Sequence, residues 1–129
     1  MVKFINSDVP KKYHSFYNNF IKFLFKEFPL KDNIEILFLG KRDKTHMSTG
    51  SRNKKHQLKI LTNNRLNRDI LRTLAHEWVH EYQHAVLKRK KGPDIGGKNE
   101  NEANSQSGIL IKKYEKKNPH KEGLMYKGV

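Results

Sequence analysis

Asn67-Arg68-Asp69-Ile70-Leu71-Arg72-Thr73-Leu74-Ala75-His76-Glu77-Trp78-Val79-His80-Glu81-Tyr82-Gln83-His84-Ala85-Val86-Leu87-Lys88-Arg89-Lys90 is the stretch around which the rest of the chain can be arranged. A helix turns about 100° per residue. With Ile70 set to zero, Leu71, Leu74, Ala75, Trp78, Val79, Tyr82, Ala85 and Val86 fall between about 40° and 180°. His76 and His80 fall near about 240° and 280°, flanked by Thr73, Glu77 and His84. The spacing therefore predicts a helix over residues 67–90 with one packed face and two imidazoles, one turn apart, on the other. Asn67 is the expected N-cap, and Gly92-Pro93 the stop. Glu81 lies near about 20°, at the edge of the apolar arc, where an ion pair to another element is its expected role.

Working outward, residues 56–62 (HQLKILT) and 33–39 (NIEILFL) read as strands, the latter closed by Gly40. A short strand is conceivable near His46–Ser48, inside the basic loop 41–55. Residues 11–28 carry Phe16, Phe20, Phe23 or Leu24, and Phe28 at helical spacing, and Pro29 ends that helix. This series is read as core packing. Residues 100–117 read as a further helix, reached through Gly96-Gly97 and ended by Asn118-Pro119. Residues 118–129 are expected to form a loose tail. The class is α+β, in one domain spanning residues 1–129.

Bulk composition narrows the chemistry. The chain of 129 residues has a net charge of +14 and no cysteine, and its mean hydropathy is −0.90. Seven Phe, five Tyr and one Trp are still enough apolar volume for a small core. Without cysteine, disulfides and thiolate metal sites are excluded, so any metal must be held by His, Asp or Glu. The first residues have no apolar signal region, and no stretch approaches the roughly 18 apolar residues of a membrane span. These features lead to the expectation of a soluble, cytoplasmic protein. The positive charge is spread over both halves of the chain. It would attract polyanions weakly and without sequence preference, or simply be a solvated lysine-rich surface.

His76 and His80 have the i, i+4 spacing that lets two imidazoles meet one zinc ion, which favours nitrogen and oxygen ligands in a tetrahedral arrangement. Glu77 reaches the same side but is angled away from coordination, where it can hold a zinc-bound water and take its proton. In a chain with 7 histidines this pattern arises by chance about 0.02 times. A catalytic zinc usually has three protein ligands. The third is expected from the next helix, with Glu102 as the candidate and Glu100 in reserve, although Asn99 and Glu102 also read as a capping pair. His84 would lie nearly in line with His76 and His80, which suits a tetrahedron poorly, so a place at the rim is expected. Tyr114, His120 and Tyr126 are candidate oxyanion stabilisers that spacing alone does not separate.

His76-Glu77-x-x-His80 followed by Asn101-Glu102-Ala103 resembles the gluzincin metallopeptidases, and the Glu-x-Glu-Ala-Asn run is closest to compact ImmA/IrrE-like domains. The resemblance covers about residues 56–117. It implies a minimal zincin-like fold of N-terminal helix, small sheet, active-site helix and glutamate helix. It also implies zinc-dependent hydrolysis of peptide bonds, with Glu77 activating the water and residues 56–62 forming a strand beside the cleft. Gln106 stands four residues after Glu102, so Ser105, Gln106 or a backbone carbonyl is expected to orient a ligand histidine. The alternative is a basic nucleic-acid-associated protein. That would be a SprT-like protease acting on DNA-bound proteins, with His84 or His120 as third ligand, or a non-enzymatic binder with structural zinc.

Overall fold

The structure is a computed structural model that describes residues 2–5, 8–41, 49–53, 55–89 and 97–129, with residues 2–5 described as backbone. In chain order the elements are β1 (Val2–Ile5), α1 (His14–Glu27), β2 (Ile34–Leu39), β3 (Gly50–Arg52), β4 (Gln57–Leu61), α2 (Asn67–Glu81), α3 (Lys98–Lys117) and the short α4 (Glu122–Met125). The fold is α+β. Its sheet has the order β1-β2-β4-β3, with β1, β2 and β4 parallel and β3 antiparallel to β4. The expected strand near His46–Ser48 lies outside the described residues. β1 was not foreseen, because a four-residue strand carries almost no periodic signal and its partner, β2, lies beyond α1.

Alternation builds the core. Ile34, Ile36 and Phe38 of β2, with Leu58 and Ile60 of β4, are buried together with Tyr17, Phe20 and Leu24 of α1 and Leu71, Leu74 and Trp78 of α2. The Phe38 and Tyr17 rings meet edge to face at 5.2 Å. The indole of Trp78 donates to the Phe28 carbonyl at 2.9 Å, which ties α2 to the end of α1. Phe28 N–H closes α1 on Leu24 O at 2.7 Å, immediately before Pro29. Tyr114 of α3 sits edge to face on Phe20 at 5.0 Å, so α3 packs on the same core. Among the described residues no helix is long and apolar enough to cross a membrane.

Three expectations about α2 and its surroundings are corrected. Asn67 is not the cap but the first helical residue, and it is fully buried. Its Oδ1 accepts from Tyr17 Oη at 2.7 Å and its Nδ2 donates to Leu124 O at 2.9 Å. A buried amide with two such partners is held by them and is not available to bond the helix's own backbone. The segment 118–129 is not loose. Met125 is 1% exposed, Asn67 N–H donates to Lys127 O, and Val129 N–H donates to Arg65 O. Backbone bonds hold this segment, and they leave no pattern in side-chain sequence. Finally, α-helical geometry stops at Glu81 and a single π-helical turn follows, Tyr82–Val86, in which Leu87 N–H reaches back to Tyr82 O at 3.0 Å. Lys88 then takes the left-handed conformation, with φ 58°, and the chain leaves the helix. Gly92-Pro93 lies outside the described residues.

Candidate metal centre

The packed face of α2 fixes the direction of the opposite one. Because Leu71, Leu74, Ala75 and Trp78 are buried in the core, His76 and His80 project into a cleft of about 520 Å3. β3 borders it with Gly50, α2 with His76 and Glu77, and α3 with Glu100, Asn104 and Ser107. The two imidazole rings meet edge to face with centroids 4.7 Å apart, and their Nε2 atoms are 3.1 Å apart. Glu100 bridges them, with Oε1 at 3.0 Å from His76 Nε2 and Oε2 at 2.9 Å from His80 Nε2. His76, His80 and Glu100 form a group whose ligand atoms lie within 4.8 Å of one another, and it could hold a metal ion.

The two histidines are thus where the sequence placed them, but the carboxylate is Glu100 and not Glu102. Glu102 Oε1 accepts from Gln83 Nε2 at 3.0 Å and from Arg89 Nη1 at 2.8 Å. The hydrogen bond from Gln83, then that from Arg89, hold its carboxyl below the usual range. The reason is angular. Residues two apart on a helix differ by about 200°, so only one of the pair can face α2. Ala103, Leu110, Ile111 and Tyr114 form the buried arc of α3. Glu100 lies about 60° from Ala103 on the Ile111 side, and Glu102 about 100° away on the other. A helical wheel of residues 98–117 carries this signal.

Glu102 supports the centre from behind. Gln83, fully buried in the π-helical turn, spends its Nε2 on Asn99 O at 3.0 Å and on Glu102. Its Oε1 therefore faces His80 Nδ1, at 2.9 Å, and accepts a hydrogen bond from Nδ1–H. His80 is oriented by Gln83, then, and not by Ser105, Gln106 or a backbone carbonyl. On the other imidazole, burial and then the neighbouring His80 lower the pKa of His76, which favours the neutral, ligating form.

Glu77 lines the cleft beside this group without joining it. It is 8% exposed, and burial pushes its carboxyl up to about 7, with a smaller opposing effect from His80. β3 passes close over it: a Cβ on Gly50 would fall 2.5 Å from Thr73 Cγ2 and 3.2 Å from Glu77 Oε2. The strand beside the cleft is thus β3. The expected one, within residues 56–62, is β4, which lies between β2 and β3.

β3 is fastened to α2 by a second cluster. Glu81, fully buried, takes Arg52 Nη2 at 2.7 Å on Oε1 and His56 Nδ1 at 2.6 Å on Oε2. This is the ion pair expected from its position at the edge of the apolar arc. His84 is held by its Nδ1 on Arg89 O at 2.9 Å and lies outside the His76–His80–Glu100 group. Tyr114 is core, donating nothing to the cleft and accepting from Asn19 Nδ2 at 3.3 Å. Neither His120 nor Tyr126 lines the cleft.

Fold and site together define a small α+β domain with a candidate metal centre of two histidines and one glutamate. No protein-family model, curated protein or solved structure matches the chain.

Proposed function

We propose that this protein is a zinc-dependent metallopeptidase of minimal zincin-like fold, with His76, His80 and Glu100 as ligands and Glu77 as general base. One observation carries the reading. Gln83 Oε1 accepts the hydrogen bond of His80 Nδ1–H, so in the neutral ring that a metal requires, the Nε2 lone pair is the one left to ligate. That lone pair faces a carboxylate oxygen at 2.9 Å and a second imidazole nitrogen at 3.1 Å. A metal ion placed among these three donor atoms would be within reach of all of them. Two imidazoles and one carboxylate, with the cleft side open, match the donor set of a catalytic zinc.

Zinc held there supplies the charge that polarises a carbonyl and makes a water acidic near neutral pH. Glu77, adjacent to His76 but outside the ligand group, takes the proton from the attacking water and returns it to the leaving amine. Gln83 keeps His80 in the ligating tautomer. β3, the edge of the sheet among the described residues, borders the cleft, which suits an extended peptide lying alongside it. The SprT-like alternative would use His84 or His120 as third ligand; His84 lies outside the His76–His80–Glu100 group and His120 does not line the cleft.

The purified protein should carry close to one zinc per chain, measured by elemental analysis. His76→Ala and His80→Ala should each lose it. Glu77→Gln should keep the zinc and lose peptide cleavage by about 10³-fold. Full zinc content in both histidine variants overturns the ligand assignment, and wild-type cleavage by Glu77→Gln overturns the base.

A further inference from the structure

Among the described residues that line the cleft, Arg72 is a cation that neither the candidate metal centre nor its supporting bonds use. Arg72 precedes His76 by one turn of α2, about 6 Å along the axis. It is exposed, borders the cleft, and also walls the recess that adjoins it, with Asn104, Gly108 and Lys112. Among the described residues no carboxylate lines that recess. Gly108 keeps the opposite wall low: a Cβ there would lie 3.8 Å from Arg72 Nη2. Among the described residues nothing hydrogen-bonds or ion-pairs with Arg72. Its neighbours on the chain are both committed, Arg65 to Leu61 O, Asp69 O and Thr73 Oγ1, and Arg68 to Glu115.

We propose that Arg72 forms a carboxylate-binding subsite beside the candidate metal centre and selects peptides that carry an acid close to the bond to be cut. This rests on the peptidase reading. A guanidinium offers a planar fork of donors that matches a carboxylate at two points. An extended peptide advances about 3.3 Å per residue, so an acid held by Arg72 belongs within about two residues of the scissile bond. An Asp or Glu side chain and a C-terminal carboxylate present the same chemistry to the fork.

Binding, not turnover, tests this. Zinc-loaded Glu77→Gln protein is titrated with fluorescent peptides in which a single Glu is walked along the chain. Each peptide has a Gln counterpart, and a parallel pair ends in a free acid or an amide. At one position, Glu should bind about three- to tenfold more tightly than Gln. If the source is the chain terminus, the acid should instead exceed the amide by the same factor. Added Arg72→Gln should shrink the preference to less than twofold, and Arg72→Lys should leave part of it, both with unchanged zinc content and unfolding midpoint. A preference that survives Arg72→Gln overturns the proposal. So does equal binding of all acidic peptides wherever the acid stands, which is the signature of the bulk charge of +14. Failure of the peptidase reading shows separately, in zinc content and in the cleavage comparison of wild type with Glu77→Gln, while the titration still decides Arg72.

Discussion

Two histidine–carboxylate clusters draw on α2, and they are completed differently. Around Glu81 the chain supplies everything: a carboxylate with a guanidinium on one oxygen and an imidazole on the other, all from β3, the β3–β4 turn and α2. Around Glu100 the carboxylate meets two imidazole nitrogens, one of which has its proton committed to Gln83 on the far side of the ring. The first cluster is charge-balanced by the protein itself and closes under β3. The second faces the cleft, and its three side chains form a group that could hold a metal ion. The same residue types therefore serve as a fastening in one place and as a candidate binding site in the other. What each carboxylate meets, a guanidinium and an imidazole in one place and two imidazoles in the other, separates the two roles.

The largest expected effect comes from breaking the closed cluster. Glu81→Ala should lower the unfolding free energy by about 4 kcal/mol in urea titrations, because Arg52 is left buried without its counter-charge. The same truncation at Glu100, whose side chain is 36% exposed, should change metal-free stability by less than about 0.5 kcal/mol. Equal losses at the two sites would erase the distinction between them. A smaller effect separates Glu100 from Glu102. Zinc at about 100 times its dissociation constant should stabilise the wild type by about 2.7 kcal/mol. Glu102→Gln should keep most of that gain and Glu100→Ala should lose it, and a full gain in Glu100→Ala would remove Glu100 from the ligand set. The smallest effect concerns support from behind. Gln83→Leu should weaken zinc binding about tenfold, read by competition with a chelator, because His80 loses the partner that fixes its tautomer. Unchanged affinity would show that ring orientation does not depend on Gln83.

Much of this arrangement was legible in the sequence wherever one element carried its own period. α2 could be read because its apolar arc is unbroken from Ile70 to Val79, and that arc placed His76, His80 and Glu81 on their correct sides. β2, β4 and α1 were legible for the same reason. The features that escaped depend on partners distant in sequence. β1 exists through its parallel pairing with β2. The π-helical turn at Tyr82–Val86 carries Gln83 to His80, with no signature in residue type. The choice between Glu100 and Glu102 was within reach, since the buried arc of α3 faces Glu100. The Glu-x-Glu-Ala-Asn resemblance points to Glu102, whereas the wheel points to Glu100, which is the one beside His76 and His80.

The backbone clasp at the start of α2 also bears on the order in which the molecule can be made. Asn67 draws on Tyr17 from upstream and on Leu124 and Lys127 from downstream, and Val129 closes on Arg65. A ribosome delivers the two sides of that clasp far apart in time. The helix that carries both histidines has its apolar partners from α1 and the sheet early, but its first turn stays unclasped until residues 124–129 have emerged. The pieces of the cleft therefore exist on the nascent chain before the frame that holds them is locked, and completion of the scaffold waits for residues 124–129.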